Sequence, residues 1–167
     1  MLNPVGRLID VLKPVMGCAP AALTGAAGDG DYISMKNYTK LTVLISVLNG
    51  STVTGGAVTL KQASAVAGTG EKALSFSKMY SNIDCAAADA LTETAVVSDT
   101  FTTDTTNSKQ LMYAIEVDAE QLDKANGFDC VRVDVASMAN AVAGVTYLLW
   151  GARYSKPAGG LPAAITD

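Results

Sequence analysis

The sequence predicts an all-β fold, an antiparallel β-sandwich or jelly roll of about eight strands, and two observations carry this prediction. Apolar and polar residues alternate with a period of two in five separate segments, which is the spacing of side chains on the two faces of a strand. Connections rich in Gly and Thr separate these segments, as is typical of sandwiches and barrels. The 167 residues are enough for one domain with its own core.

Five strands are predicted from the alternation alone. In the first, Leu41, Val43, Ile45 and Val47 share one apolar face. The five segments are residues 41–48, 58–62, 111–118, 131–135 and 145–150. Weaker strands are predicted at residues 32–35, 78–83 and 96–102. From this pattern we expect a core that contains Val43, Ile45, Leu60, Tyr113, Ile115, Val131 and Val133.

One helical turn is predicted between two of the strands. Asp118 and Gln121 have the spacing of a capping box, and Gly127 is a typical residue at a helix C-terminus. Residues 119–125 are therefore expected to form one or two turns that link strands 111–118 and 131–135.

Three zones are predicted along the chain: an N-terminal arm at residues 1–30, the β domain at residues 31–154 and a C-terminal tail at residues 155–167. The arm carries apolar residues at helical spacing between Pro4 and Pro14, which predicts about two amphipathic turns; these residues are Val5, Leu8, Ile9 and Leu12. The turns either pack on their own domain or dock on a neighbouring subunit. We expect deletion of residues 1–30 to leave a folded, soluble domain that no longer binds its partner stably.

The composition excludes several classes of function. The chain has no His, which removes the usual general base and the commonest metal ligand. The net charge of −4 and the absence of a basic stripe do not suit a nucleic-acid binder. No apolar run has the length of a membrane span, and the N-terminus lacks a signal-peptide pattern. We therefore expect a non-enzymatic protein, made in a cytoplasm, without cofactor or metal and without nucleic-acid or membrane partners.

Three short segments resemble chemical motifs but have ordinary structural explanations. Gly28–Asp31 has too few oxygen ligands for a calcium loop, and Gly68–Lys72 lacks the spacing of a phosphate loop, so both are predicted as loops. Glu116, Asp118 and Glu120 are explained by a solvated strand face and a helix start. The cysteines Cys18, Cys85 and Cys130 are too far apart for a framework of disulfides or a Cys-x-x-Cys site.

Two predicted strands are apolar on both faces. Leu44 and Leu48 lie on the nominally polar face of strand 41–48, and Leu148 and Trp150 do so in strand 145–150. Exposed apolar surface of this kind marks an interface. With the arm residues, these four side chains make up the predicted partner interface: Val5, Leu8, Ile9, Leu12, Leu44, Leu48, Leu148 and Trp150.

The order of segments resembles that of capsid decoration (cement) proteins of tailed bacteriophages. The shared features are an N-terminal arm, a strand like Val58–Ala63, a Gly/Ser/Thr-rich excursion, the pair Tyr113–Asp118 and Phe128–Val133 across a short turn, and a last strand that ends near Arg153-Tyr154. The resemblance covers residues 38–154 and is one of pattern, without a diagnostic motif. It implies a jelly-roll-like fold, no catalysis, and several copies bound to the major capsid protein on the capsid surface of the virion. Copies of the chain are also expected to bind one another as a homo-oligomer.

An alternative class of function is a ligand- or carbohydrate-binding β-sandwich of a phage tail fibre. Such modules present exposed Trp and Tyr residues on one sheet face or loop. Here Trp150 is the only Trp, and the six Tyr residues are scattered through the predicted strands. A β-sandwich hydrolase is a weaker alternative, because no His or nucleophile motif is present.

Overall fold

Two antiparallel sheets of six strands each form the structure, a computed structural model that describes residues 7–154 and 160–165. No α-helix occurs in these residues, and none of their helical segments could cross a membrane. One hydrophobic cluster joins inward-facing residues of both sheets. The predicted all-β sandwich is confirmed.

The first sheet is built on three long central strands. Its strand order is β1-β12-β4-β10-β7-β8. The strands are β1 (Leu12–Ala22), β4 (Tyr38–Asn49), β7 (Phe76–Asn82), β8 (Thr92–Ser98), β10 (Gln110–Asp118) and β12 (Ala141–Ala152). The predicted strands at 41–48, 111–118 and 145–150 are thus found as β4, β10 and β12, each of them in the interior of this sheet.

The second sheet is made of two longer strands and four short ones. Its main order is β2-β11-β5-β6, with β3 also paired to β11 and β9 to β5. The strands are β2 (Gly28–Asp29), β3 (Ile33–Ser34), β5 (Ala57–Ala63), β6 (Lys72–Ala73), β9 (Thr100–Thr102) and β11 (Cys130–Val135). The sequence predicts about eight strands and the described residues form twelve. The two-residue strands β2 and β6 show no alternation, the 11-residue β1 falls in the predicted arm, and the predicted strand at 96–102 covers parts of both β8 and β9.

The core lies between the two sheets. All seven side chains predicted to fill it are at most 2% exposed: Val43, Ile45, Leu60, Tyr113, Ile115, Val131 and Val133. Tyr147 crosses from the first sheet, and its hydroxyl accepts a hydrogen bond from the Val133 N–H at 2.9 Å. A Cβ at Gly17 would lie 2.4 Å from the Tyr147 ring. The phenol of Tyr147 therefore fits only because position 17 has no side chain.

Truncating Ile115 to Ala should destabilise the protein by about 2–5 kcal/mol, because the change removes three buried carbons and leaves a cavity. Ile115 is 0% exposed in the middle of β10. Equilibrium urea unfolding of both proteins measures the difference. Met112→Ala on the same strand, where the side chain is 37% exposed, is the matched control and should change stability far less. A cost below about 1 kcal/mol for Ile115→Ala would contradict this placement of the core.

The N-terminal segment differs from the expected amphipathic helix. A single turn of 3-10 helix covers Leu8–Asp10, and β1 follows at Leu12 and pairs with β12 along its length. Pro14 does not end a helix here but lies within β1, where an edge strand tolerates a missing N–H. Residues 12–22 are therefore part of the first sheet. Val5 lies outside the described residues.

The predicted turn and part of the tail also have defined positions. Two turns of 3-10 helix, Ala119–Gln121 and Lys124–Asn126, link β10 to β11, and Gln121 Oε1 accepts the Asp118 N–H at 3.1 Å. In the described part of the tail, Ala164 is buried and its carbonyl accepts the Ser34 N–H at 2.6 Å. This segment therefore packs against the sandwich.

Candidate partner interface

The side of the first sheet that faces away from the core carries several apolar side chains among polar ones, and we call it the outer face. Its position follows from strand alternation: Val43 and Ile45 are buried in the core, so Leu44 between them points outward. Strand register extends the outer face across the sheet. Leu44 lies opposite Ala114 of β10 and Thr146 of β12, and Thr146 lies opposite Met16 of β1.

A shallow apolar hollow of about 320 Å³ lies at one end of the outer face. Its lining includes Ser46 and Gly144, which lie opposite each other on β4 and β12. Because both residues are small, the surrounding apolar side chains stand above them as a rim. The rim includes Pro20, Leu48, Met112 and Val142. No charged side chain lines this hollow in the described residues, so it suits an apolar group of a partner.

The other end of the outer face is formed around Trp150. Trp150 lies opposite Leu12 of β1 and Lys40 of β4, and Lys40 pairs with Asp118. The indole N–H donates to Thr42 Oγ1 at 3.2 Å, which fixes the ring along the sheet. Leu8 and Leu12 join Trp150 around a second hollow of about 260 Å³. This end combines an aromatic ring with one ion pair.

The structure brings together most of the residues predicted to form the interface. Leu44, Leu48, Leu148 and Trp150 share the outer face, and Leu12 joins them next to Trp150. Leu8 is 67% exposed and Ile9 is 57% exposed in the 3-10 turn before β1. Their role as partner contacts stays a prediction.

Sequence reasoning missed part of this surface. Met16 is 63% exposed, while Met112 and Val142 are each 37% exposed on the same face. Met112 alternates with the core residues Leu111 and Tyr113, so the period-two pattern was sufficient to place Met112 on the outer face. Because Glu116 and Asp118 lie on the same face of this strand, that face was interpreted as solvent-exposed. Met16 and Pro20 could not be found, because β1 was not predicted as a strand.

The opposite surface of the sandwich, on the second sheet, is charged. Lys61 Nζ lies 2.7 Å from Glu71 Oε1 and 3.1 Å from Asp134 Oδ2. Arg132 reaches the same two carboxylates at 3.1 and 2.8 Å. A sandwich normally has one solvated face on each sheet, and the second sheet fits this rule. The outer face of the first sheet also carries ion pairs, Lys40–Asp118 and Lys78–Glu93, so the surface that lacks a cover is its apolar part around the two hollows.

Hydrogen bonding holds the charged cluster of the second sheet in its ionised form. The hydrogen bond from Lys61 lowers the pKa of Glu71, with a smaller contribution from the Tyr32 hydroxyl. The same hydrogen bond raises the pKa of Lys61. These charges pair with one another, although the buried Arg132 Nε has no hydrogen-bond partner among the described residues, so the cluster is explained as a structural ion network.

The segments that resemble motifs occupy structural positions. Gly28 and Asp29 form β2, and the Gly30 N–H donates to the Val133 carbonyl at 3.1 Å. Gly68 and Gly70 have φ of +81° and +68° in the connection from β5 to β6, as expected for a hairpin-end loop. The thiol of Cys18 has a pKa raised by burial and by the nearby carboxylates of Asp31 and Asp29, which opposes thiolate reactivity.

Comparison with known proteins gives little. No family model matches the chain, and no curated protein matches it. A solved structure that resembles it is the crystal structure of SPBc2 prophage-derived protein YomS, with a TM-score of 0.45 and 15% identity over 83% of this chain and 91% of that chain. A likeness at this level does not indicate what this chain does.

Proposed function

We propose that this chain is a non-enzymatic virion structural protein that decorates and stabilises a bacteriophage capsid by binding the major capsid protein. The observation that carries the proposal is the apolar outer face of the first sheet. Leu48 is 51% exposed beside a hollow whose lining carries no charge in the described residues. A free sandwich would keep this side polar, so a partner is expected to cover it.

The nature of the outer face favours a large, pre-formed protein surface as the partner. The exposed side chains extend from β1 across β12 and β4 to β10, and they form a broad surface with only shallow hollows. A small ligand needs a concave site that encloses most of its surface. A capsid shell offers a flat surface in many copies, which agrees with the pattern resemblance over residues 38–154.

The arrangement of aromatic residues supports a protein partner over a carbohydrate. Tyr38, Tyr113 and Tyr147 are buried in the core. Trp150 and Tyr80 share the outer face but lie on β12 and β7, three strands apart. Tyr80 is in line with Thr146, four residues from Trp150, so the two residues are about 14 Å apart across the strands and about 13 Å apart along them. The described residues therefore present no pair of neighbouring exposed rings on this face against which a sugar could stack.

Co-sedimentation with assembled shells tests the proposal. Purified protein is titrated onto phage capsids that lack it, the capsids are pelleted, and the bound amount is measured per copy of major capsid protein. Saturable binding at a fixed ratio, with a gain in the thermal or mechanical stability of the shell, is the expected result. Binding to isolated tail fibres or to glycans instead of shells would contradict the proposal.

A further inference from the structure

The free edge of β8 differs from the other edges of the two sheets. In the described residues β8 pairs with β7 along one side, and no strand pairs with its other side. At the opposite edge of the same sheet, β1 contains Pro14 and Pro20 and two register irregularities. The second sheet is edged by β2 and β3 on one side and by β6 and β9 on the other, strands of two or three residues each. Prolines, bulges and short strands are the devices that prevent edge-to-edge pairing.

The edge strand β8 lacks most of these devices. Its seven residues, Thr92–Ser98, include two Thr and two Val but no Pro and no Lys, a composition that favours extended strands. Val97 is fully exposed. An irregularity in the pairing with β7 lies towards the C-terminal end, which leaves Thr92–Ala95 in regular register. This stretch presents unpaired backbone donors and acceptors to an incoming strand.

The charges next to this edge fit a second copy of the same strand. Lys78 Nζ lies 2.7 Å from Glu93 Oε1, and Lys78 is paired in register with Ala95. Consider two β8 strands that pair antiparallel about a two-fold axis at Thr94. Glu93 of one copy then lies opposite Ala95 of the other, in line with that copy's Lys78.

Two strand spacings separate the Cα atoms of Lys78 and the opposing Glu93 in this arrangement, about 10 Å. The small side chain of Ala95 lies between them, so the long side chain of Lys78 can reach across. Each copy contributes one ammonium and one carboxylate to a group of four alternating charges. Opposite charges placed in this way favour one register over the others.

We infer that β8 is a self-association edge, at which two copies of this chain pair antiparallel about Thr94 and join their first sheets into one continuous sheet. The inference goes beyond the proposed function, since it names a partner and a surface that need no capsid. It leaves the outer face of both copies uncovered on the same side of the joined sheet. A dimer could therefore present both outer faces to a common partner.

Disulfide trapping in the purified protein tests the register. In the proposed pairing the two Thr94 residues are directly opposed, with Cα atoms about 4.5–5.5 Å apart, which is within the range for a disulfide. Thr94→Cys should therefore give at least about tenfold more covalent dimer than Thr92→Cys under mild oxidation. Thr92 is the matched control, because both side chains are exposed on the same strand but the two Thr92 residues would be about 13 Å apart.

A charge exchange supplies a second readout that does not depend on cysteine. Glu93→Lys should weaken the concentration-dependent dimer in sedimentation equilibrium, and Lys78→Glu combined with Glu93→Lys should restore it. Equal cross-linking of Thr94→Cys and Thr92→Cys would overturn the inference. A wild-type protein that stays monomeric at every concentration while it binds shells would also overturn it and would leave the proposed function standing.

Discussion

Replacing both Leu48 and Val142 by Asp is expected to weaken binding to capsid shells by about a hundredfold while the fold stays intact. Both side chains belong to the rim of the outer-face hollow, and they are 51% and 37% exposed. The free protein can therefore solvate the new carboxylates. In a complex the same carboxylates would be buried without partners, and we expect each to cost about 1.4 kcal/mol, less than the cost of about 2 kcal/mol or more at a hot-spot residue. A loss of about 2.8 kcal/mol corresponds to a hundredfold change in Kd.

Co-sedimentation over a range of protein concentrations measures this change, beside a thermal melt that confirms the fold. Thr102→Asp with Ser137→Asp is the matched control, since it adds the same charge at exposed positions away from the outer face. The control should bind shells as the wild type does. If both double variants lost binding equally, general charge repulsion would be responsible. If both bound normally, the outer face would not be the capsid contact.

The long strands were predictable because their alternation is strong and their inner faces are continuous. In β4 each of Leu41, Val43, Ile45 and Val47 points into the core, so the period-two signal directly reports the packing. The same signal located β10, β11 and β12. Their order within the two sheets was not predictable, because alternation records which face is buried and carries no information on which strands are neighbours.

The N-terminal segment was predicted as an arm because local signals outweighed a weak strand pattern. Leu8, Ile9 and Leu12 have helical spacing, and Pro14 indicates the end of a helix. The structure begins a strand at Leu12, where pairing with Trp150 on β12 fixes the backbone. This pairing joins residues more than a hundred positions apart, so no local window of sequence could reveal it.

The interface was partly predictable for a similar reason. Leu44, Leu48, Leu148 and Trp150 interrupt otherwise polar strand faces, and this local anomaly identified them. The hollow itself depends on Gly144 and Ser46 lying side by side on neighbouring strands. That coincidence is a property of the register, and the sequence alone does not define it.

Deleting residues 1–30 is expected to destabilise the whole protein, which corrects the expectation that an independent domain would remain. The deletion removes β1, the edge strand of the first sheet, and Leu23, which is 2% exposed. Leu23 also joins two other segments, since its N–H donates to the Ala141 carbonyl and its carbonyl accepts the Met138 N–H, both at 3.0 Å. Without Gly17 and its neighbours the ring of Tyr147 would lose its cover.

The size of this effect follows from the buried groups that are lost. Removing a buried Leu side chain alone costs about 2–5 kcal/mol, out of a total stability of about 5–15 kcal/mol. The full deletion should therefore unfold the protein or lower its Tm by more than about 10 °C, as measured by circular dichroism.

Deleting residues 1–11 is the matched control, because it removes Leu8 and Ile9 but keeps β1 and Leu23. This shorter variant should melt within about 3 °C of the full chain, so any loss of shell binding by it reports on the N-terminal anchors. A 1–30 deletion that melts as the full chain does would show that β1 is dispensable and that the arm is independent after all.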